Sequence, residues 1–161
     1  MSPDELPSKT AAPDLSITTQ YIKELYVKIP NSPYIFNIIP KSPELIVKVD
    51  VNANQLNQNS PDFEVVTSIS CSSMFTNEDK AKDTQICIFE IVLKYGAITS
   101  LNNLNHPQFE ELLMVETPTL VFPEMRNIIL NISRESNLPP IFLQRINFRN
   151  LYEKRKQTNN S

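Results

Sequence analysis

Glycine is almost missing from this chain: it occurs once in 161 residues, against thirteen prolines, and tryptophan does not occur at all. Turns must therefore be built from proline, asparagine and aspartate, and a Gly-rich loop that cradles a phosphate is excluded. No apolar run approaches the roughly 18–20 residues that a membrane-spanning helix needs, so we expect no membrane insertion. The first residues lack a basic segment followed by an apolar one, and we expect no secretory signal there.

The net charge is also small, and side chains that commonly serve catalysis or metal binding are few. The formal net charge of −3 gives no basic excess, so we expect no nucleic-acid partner. The single histidine, His106, leaves no His pair for a metal and no obvious triad, and we place it at a turn or a helix start. Cys-x-x-Cys, Walker and nucleophile-elbow patterns are all missing. Cys71 and Cys87 lie in strand-like runs and predict buried or half-buried thiols, not a disulfide. We therefore expect no enzyme, no metal and no cofactor.

The order of predicted elements indicates an α+β fold. Residues 1–16 are rich in Pro, Ser, Asp and Lys and predict a disordered arm. The chain becomes β-like from Ile17 to Ile29, alternates apolar and polar residues over 45–52 and 63–71, and is evenly apolar over 85–98. Four strands joined by short polar turns favour antiparallel pairing, and helices follow them. We expect one domain over residues 17–152 and a polar, basic tail over 153–161.

The stretch over residues 118–152 predicts a long helix, a break and a shorter helix. Pro118 suits a first helical turn, Asn137 suits a helix end, and Pro139-Pro140 cannot continue the helix. The shorter amphipathic run follows from Ile146 to Tyr152. Four apolar residues of the long helix share one face through three- and four-residue spacing: Met125, Ile128, Ile129 and Ile132.

Several short motifs, taken in order, resemble those of the SecB family of bacterial protein-export chaperones over roughly Thr18 to Tyr152. These motifs are Tyr21-Ile22-Lys23-Glu24-Leu25, Pro30-Asn31-Ser32-Pro33, Phe63-Glu64-Val65-Val66, Tyr95-Gly96-Ala97-Ile98, Phe122-Pro123 with Arg126, Leu138-Pro139-Pro140, Ile146-Asn147-Phe148 and Leu151-Tyr152. The resemblance implies a four-stranded antiparallel sheet packed with one long and one shorter C-terminal helix. It also implies a homotetramer, a dimer of dimers whose long helices pack between the sheets through the four-residue apolar face. The connector carries Ser136-Asn137 and Arg145 where the family usually has Gly-Gly and Pro, so we expect it to differ locally.

The function that the resemblance implies is that of an ATP-independent holdase. Such a chaperone works in the bacterial cytoplasm, keeps preproteins unfolded and translocation-competent, and delivers them to the export ATPase SecA. A second hypothesis is a divergent relative that serves a non-export client, as a chaperone or an adaptor, without SecA docking. A third is an enzyme, which the missing catalytic patterns disfavour.

The apolar residues of the proline-rich loop after the first strand allow two interpretations. From the residues alone, the loop more simply folds back and caps the domain. The alternative is one wall of an apolar groove for an unfolded preprotein, and the SecB resemblance favours it, because the family uses this loop and the second helix. The loop residues are Tyr34, Phe36, Ile38 and Ile39. The residues expected to face them from the second helical segment are Ile141, Phe142, Leu143 and Phe148.

Acidic residues on the sheet are candidates for SecA contact through the same resemblance. Glu24 matches the family's acidic position on the first strand, but the second such position is Lys28 here. On the last strand the family's glutamate falls at Val92, and Glu90 is the candidate substitute. The competing interpretation is an ordinary solvated sheet face.

Overall fold

The computed structural model describes residues 14–77 and 84–161, so the predicted arm lies outside the described residues as far as residue 13. Its four strands are β1 (Leu15–Lys28), β2 (Ile46–Gln55), β3 (Asp62–Asn77) and β4 (Thr84–Leu101). A short helix α1 (Phe109–Glu111) leads through a π-helical segment (Leu112–Glu116) into the long helix α2 (Thr117–Glu135), and α3 (Phe148–Asn159) follows. The predicted α+β class and the order of its elements are confirmed. Strand β1 begins at Leu15 and therefore includes the last two residues of the predicted arm.

All four strands form one antiparallel sheet in the order β1-β4-β3-β2. The evenly apolar β4 lies inside the sheet, as its sequence predicts, and β1 and β2 form the edges. The register places alternate residues on two faces. On the inner face, Ile69 of β3 pairs with Leu93 of β4, and both are fully buried. On the outer face, Ser68 pairs with Lys94, which in turn pairs with Glu24 of β1.

Helix α2 covers the inner face over the two middle strands. Val121, Met125 and Ile129 are buried against the sheet of their own chain, because they lie on the apolar face that the sequence predicts. Strand β1 lies outside this cover, and its inner-face residues Leu25 and Val27 remain exposed. The core therefore forms between α2 and the sheet within one chain.

The prolines of α2 explain how the helix begins. Pro118 lies at its first turn, as predicted. Since Pro118 has no amide to offer the carbonyl four residues earlier, the chain before it widens into the π-helical segment. The Thr119 hydroxyl donates to the Val115 carbonyl at 2.6 Å and supplies a hydrogen bond in this region. The predicted helix end is confirmed as well, because Asn137 has the left-handed backbone of a helix-ending residue, with φ of 55°.

One prediction about the C-terminal part was wrong. Residues 141–147 are not helical, because α3 begins only at Phe148, where the Asn147 side chain accepts a hydrogen bond from the Asn150 amide at 3.1 Å. The polar, basic stretch over residues 153–161 forms the second half of α3 as far as Asn159. In residues 14–77 and 84–161, no helix combines the length and apolar character needed to cross a membrane.

Candidate functional site

The loop after β1 is held in place by a few hydrogen bonds and one buried side chain. The Asn31 side chain donates to the Cys87 carbonyl of β4, and the Ile35 amide donates to the Asn31 carbonyl, both at 2.9 Å. Residues Tyr34–Asn37 form a 3-10 turn that directs Ile35 into the core, where only 1% of it is exposed. Our sequence reasoning did not single out Ile35, because the loop's proline spacing gives no period from which to choose the inward residue.

Of the remaining apolar residues of this loop, one fits the interpretation that the loop caps the domain, and three fit the interpretation that it forms a groove wall. Ile39 packs against the core, as a capping loop requires. Tyr34 is 78% exposed, and Phe36 and Ile38 are exposed too, as a groove wall requires. Tyr34 and Ile38 line a hollow of about 410 Å³, to which β4 contributes Ile86. We call this hollow the loop hollow.

The connector between α2 and α3 is fastened to the end of α2 through Ser133. The Ser133 hydroxyl donates to the Leu130 carbonyl at 2.7 Å and accepts from the Ile141 amide at 3.2 Å. Ile141 and Leu143 are consequently buried, and Phe142 between them is 66% exposed. The alternation is that of extended chain, in which successive side chains point to opposite sides.

The connector lines its own hollow of about 250 Å³ against α2, which we call the connector hollow. Its lining residues are Pro123, Arg126, Asn127, Leu130, Ile141, Phe142 and Leu143. None of the loop residues belongs to it, and the loop hollow contains no connector residue. The two predicted walls therefore line separate hollows in the single chain.

Phe148, the last residue placed in the predicted groove, is a core residue. Its ring meets the Phe122 ring of α2 edge to face, with centroids 5.9 Å apart, and only 2% of the residue is exposed. As α3 starts at this residue, Phe148 anchors the helix to α2. Of the connector-side residues predicted to face a client, Phe142 alone presents its side chain at the surface.

The residues expected to form subunit contacts are also placed differently from the expectation. Met125 and Ile129 are fully buried under α2 within the chain, and Ile128 and Ile132 are half-buried against the same core. Strand β1, in contrast, carries large apolar side chains that are exposed on both faces of the strand. These β1 residues are Ile22, Leu25, Tyr26 and Val27. The sequence carried a signal for them, because apolar residues on both faces of a strand predict burial on both sides.

The outer face of the sheet pairs its acidic residues with basic ones. Glu24 lies 2.8 Å from the Lys94 ammonium, and Glu64 lies 2.6 Å from the Lys23 ammonium. Glu90 is the register partner of Lys28 on β1. Glu24 and Glu90 thus share the outer face, but the face is a mixture of both charges.

Glu64 also accepts a hydrogen bond from the Tyr21 hydroxyl. The hydrogen bonds from Lys23 and Tyr21 hold the pKa of the Glu64 carboxyl below its usual range. Burial, together with the bond to Glu64, raises the pKa of Tyr21 to about 12. Both directions favour the ionised carboxylate and the neutral phenol. The outer face therefore contains a fixed network of three side chains next to the Glu24–Lys94 pair.

The side chains that could ligate a metal or react as nucleophiles are dispersed over the described ranges. Over residues 14–77 and 84–161, no three His, Cys, Asp or Glu side chains are grouped to hold a metal ion. His106 lies in the turn before α1, as predicted, and its Nδ1 accepts from the Gln108 amide at 3.2 Å. Cys71 and Cys87 are free, buried and half-buried thiols, as predicted, and burial raises the pKa of Cys71 to about 11.

A four-stranded antiparallel sheet backed by a long helix is a fold of the SecB type. The chain is similar to the Mycobacterium tuberculosis SecB-like chaperone Rv1957, whose structure was solved in complex with a ChAD peptide from the HigA1 antitoxin. The similarity has a TM-score of 0.62 and covers 82% of this chain and 90% of that one. At 9% identity it supports the fold alone.

Sequence similarity then identifies the family. The family model described as preprotein translocase subunit SecB matches residues 8–159. The protein-export protein SecB of Gluconacetobacter diazotrophicus is 35% identical over 153 residues, which are 95% of this chain and 90% of that protein. That of Granulibacter bethesdensis is 33% identical over 146 residues, which are 91% of this chain and 84% of that protein. The chain belongs to the SecB family of protein-export chaperones.

Proposed function

We propose that this SecB-family protein is an ATP-independent holdase that binds unfolded preproteins and acts in the bacterial cytoplasm. The observation that carries the proposal is the exposure of large apolar side chains, Tyr34, Ile38 and Phe142, on backbone that hydrogen bonds hold in place. Such side chains bind extended polypeptide without ordering a flexible loop first, which lowers the entropic cost of binding.

The energetics suit a protein that binds many sequences. Burying one large apolar side chain contributes roughly 1.5–3 kcal/mol, and this gain depends on apolar area and not on a particular partner residue. The loop hollow and the connector hollow, about 410 Å³ and 250 Å³, have room for client side chains. Two separate hollows would engage two stretches of one client, and linked weak contacts raise the overall affinity.

We further propose that the protein assembles as a homotetramer, a dimer of dimers, and that the β1 surface forms a subunit contact. Ile22, Leu25 and Val27 are exposed on a strand whose outer edge is unpaired in the described part of the chain. Met125 and Ile129 support the core of each subunit in this arrangement, and the half-buried Ile128 and Ile132 remain for contact between helices.

Delivery of the preprotein to SecA is the last part of the proposal. Glu24 and Glu90 on the outer face are its candidate contacts, but each has a lysine beside or opposite it. This mixed charge favours a second candidate function, a SecB-like chaperone or adaptor for a non-export client without SecA docking.

Client binding tests the holdase proposal directly. We expect the double variant Tyr34→Asp/Phe142→Asp to bind a chemically unfolded, fluorescently labelled preprotein at least about tenfold more weakly than the wild type, since two apolar contacts are lost. Fluorescence anisotropy gives the affinity, and circular dichroism checks the fold. Leu56→Asp is the matched control, because Leu56 is an exposed apolar residue outside both hollows. Undiminished binding by the double variant would remove the hollows from the client site.

The solution mass tests the assembly. Light scattering on a size-exclusion column should give a mass near four chains for the wild type. The variant Leu25→Asp/Val27→Asp should give a smaller mass, because it places two carboxylates on the proposed contact. A tetramer that survives this change would exclude β1 as the contact surface, and a wild-type monomer would contradict the tetramer itself.

A further inference from the structure

A third and larger hollow lies between the start of α2 and the start of α3. Its volume is about 490 Å³. The Phe122–Phe148 pair forms its floor, and both rings are almost completely buried. Pro123 and Ile146 add further apolar side chains to its lining. It adjoins the connector hollow, with which it shares Pro123 and Arg126, and it has no residue in common with the loop hollow.

Three arginines surround this hollow, Arg126, Arg145 and Arg149, and Glu116 is the one acidic residue among its lining residues. Arg149 is already compensated, because its guanidinium contacts Glu111 and lies 3.7 Å from Glu116. Arg126 and Arg145 have no ion pair within 4.0 Å anywhere in residues 14–77 and 84–161. Two guanidinium groups beside the same hollow are therefore free to bind an anion.

The geometry gives these two groups the character of a binding site. The guanidinium carbon of Arg126 lies 5.9 Å from the centre of the Phe122 ring, so the ring faces the cation and the donors remain available. The first residues of α3 line the same hollow, and the positive end of the α3 dipole adds to the field. Guanidinium groups bind carboxylates through paired N–H donors, which lysine cannot do in the same way.

We propose that this hollow binds the carboxylate of an aspartate or glutamate in an extended client segment, with a neighbouring apolar client side chain against Pro123 and Ile146. Arg126 and Arg145 donate to the carboxylate. The inference rests on the proposed holdase function and adds a preference to it, namely for client segments in which an acidic residue follows or precedes an apolar one. Charge complementarity selects this occupant, since the two unpaired guanidinium groups attract a carboxylate and repel a cationic segment.

A pair of labelled peptides tests the proposal on the full-length protein. The two peptides are of equal length and carry the same leucine and tyrosine residues, but one has glutamate and the other glutamine at the central positions. At low ionic strength we expect the wild type to bind the glutamate peptide about three- to tenfold more tightly by fluorescence anisotropy, as for a partly exposed ion pair of about 0.7–1.4 kcal/mol. Arg126→Gln/Arg145→Gln should abolish this preference, so that the two peptides bind this variant with equal affinity.

Arg134→Gln is the control, because Arg134 is an exposed arginine in the last turn of the same helix and lies outside the hollow. It should keep the wild-type preference. Equal binding of both peptides by the wild type would overturn the inference and leave the holdase proposal intact. A glutamate preference that persists in the double variant would also overturn it. Failure of the wild type to bind either peptide would contradict the inference and the holdase proposal together.

Discussion

The Tyr21 ring of β1 lies directly over Gly96 of β4, so close that a Cβ atom on residue 96 would stand 2.6 Å from two of the ring carbons. The two residues are register partners on the outer face of the sheet. The chain's one glycine is therefore explained by space, since its backbone has no positive φ. The contact also aims the Tyr21 hydroxyl at Glu64.

We expect Gly96→Ala to lower the free energy of unfolding by about 1–3 kcal/mol, because the added methyl group must displace the Tyr21 ring. Urea denaturation followed by circular dichroism measures this change. The double variant Tyr21→Ala/Gly96→Ala should be more stable than the sum of the two single losses predicts, since removing the ring creates the space. Additive losses would show that the ring and the glycine do not constrain each other.

Acid titration should reveal the Glu64 network. The pKa of Glu64 is lowered in the folded protein, so its stabilising contribution is complete above the ordinary value of 4.5 and is lost as the pH falls through the folded pKa. Glu64→Gln should therefore be less stable than the wild type near neutral pH, by up to about 1 kcal/mol, and the difference should shrink below pH 4.5. Glu153→Gln makes the same substitution at an exposed position of α3 outside the ion pairs of the described chain and is the matched control. A difference that stays constant down to low pH would argue against the network.

Truncation of two phenylalanines, Phe142 in the connector and Phe148 at the start of α3, should change the free energy of unfolding by very different amounts. Phe148→Ala should cost about 3–5 kcal/mol of unfolding free energy, because it leaves a cavity beside Phe122. Phe142→Ala should change stability by less than about 0.5 kcal/mol, since its side chain is exposed. Equal losses in urea denaturation would place Phe142 in the core and invalidate its role as a client contact.

SecA binding should be sensitive to Glu24 if the outer face is the docking surface. Glu24→Lys replaces the Glu24–Lys94 pair with two neighbouring cations, so we expect weaker SecA binding and unchanged client binding. Surface plasmon resonance at low and moderate salt measures the affinity, and the wild-type interaction should weaken as salt rises. Glu153→Lys makes the same charge change on α3 and serves as the control. Equal SecA affinities for the wild type and Glu24→Lys would favour the non-export alternative.

The sequence was sufficient for the fold because its periodic signals are local. Each pattern identifies one element and its buried face. The patterns are the alternation in β2 and β3, the even apolar character of β4, and the three- and four-residue spacing in α2. The helix stop at Asn137 and the start near Pro118 follow from backbone chemistry in the same way. These features were predicted correctly because they need no knowledge of the rest of the chain.

The site was harder to predict, because it depends on which of several apolar residues points inward. In the connector, Ser133 fixes the amide of Ile141, and this contact decides that Ile141 and Leu143 are buried and that Phe142 is exposed. No periodicity in an irregular segment carries that information. The same holds for Ile35 in the loop, and for the lysines that compensate the acidic residues of the outer face, because register brings them together and sequence spacing does not.

Arg155 of α3 reaches the free edge of β2, where it donates to the Val51 carbonyl at 2.7 Å and lies 3.4 Å from the Asp50 carboxylate. An incoming strand at this edge would have to displace a charged side chain, and the opposite edge, β1, has no such obstacle among the described contacts. A sheet with one guarded edge and one open edge can pair edge to edge with a second copy of itself through β1, but it offers no second edge for strand pairing. Edge-to-edge addition of one sheet after another, the geometry from which fibres grow, is therefore blocked on the β2 side.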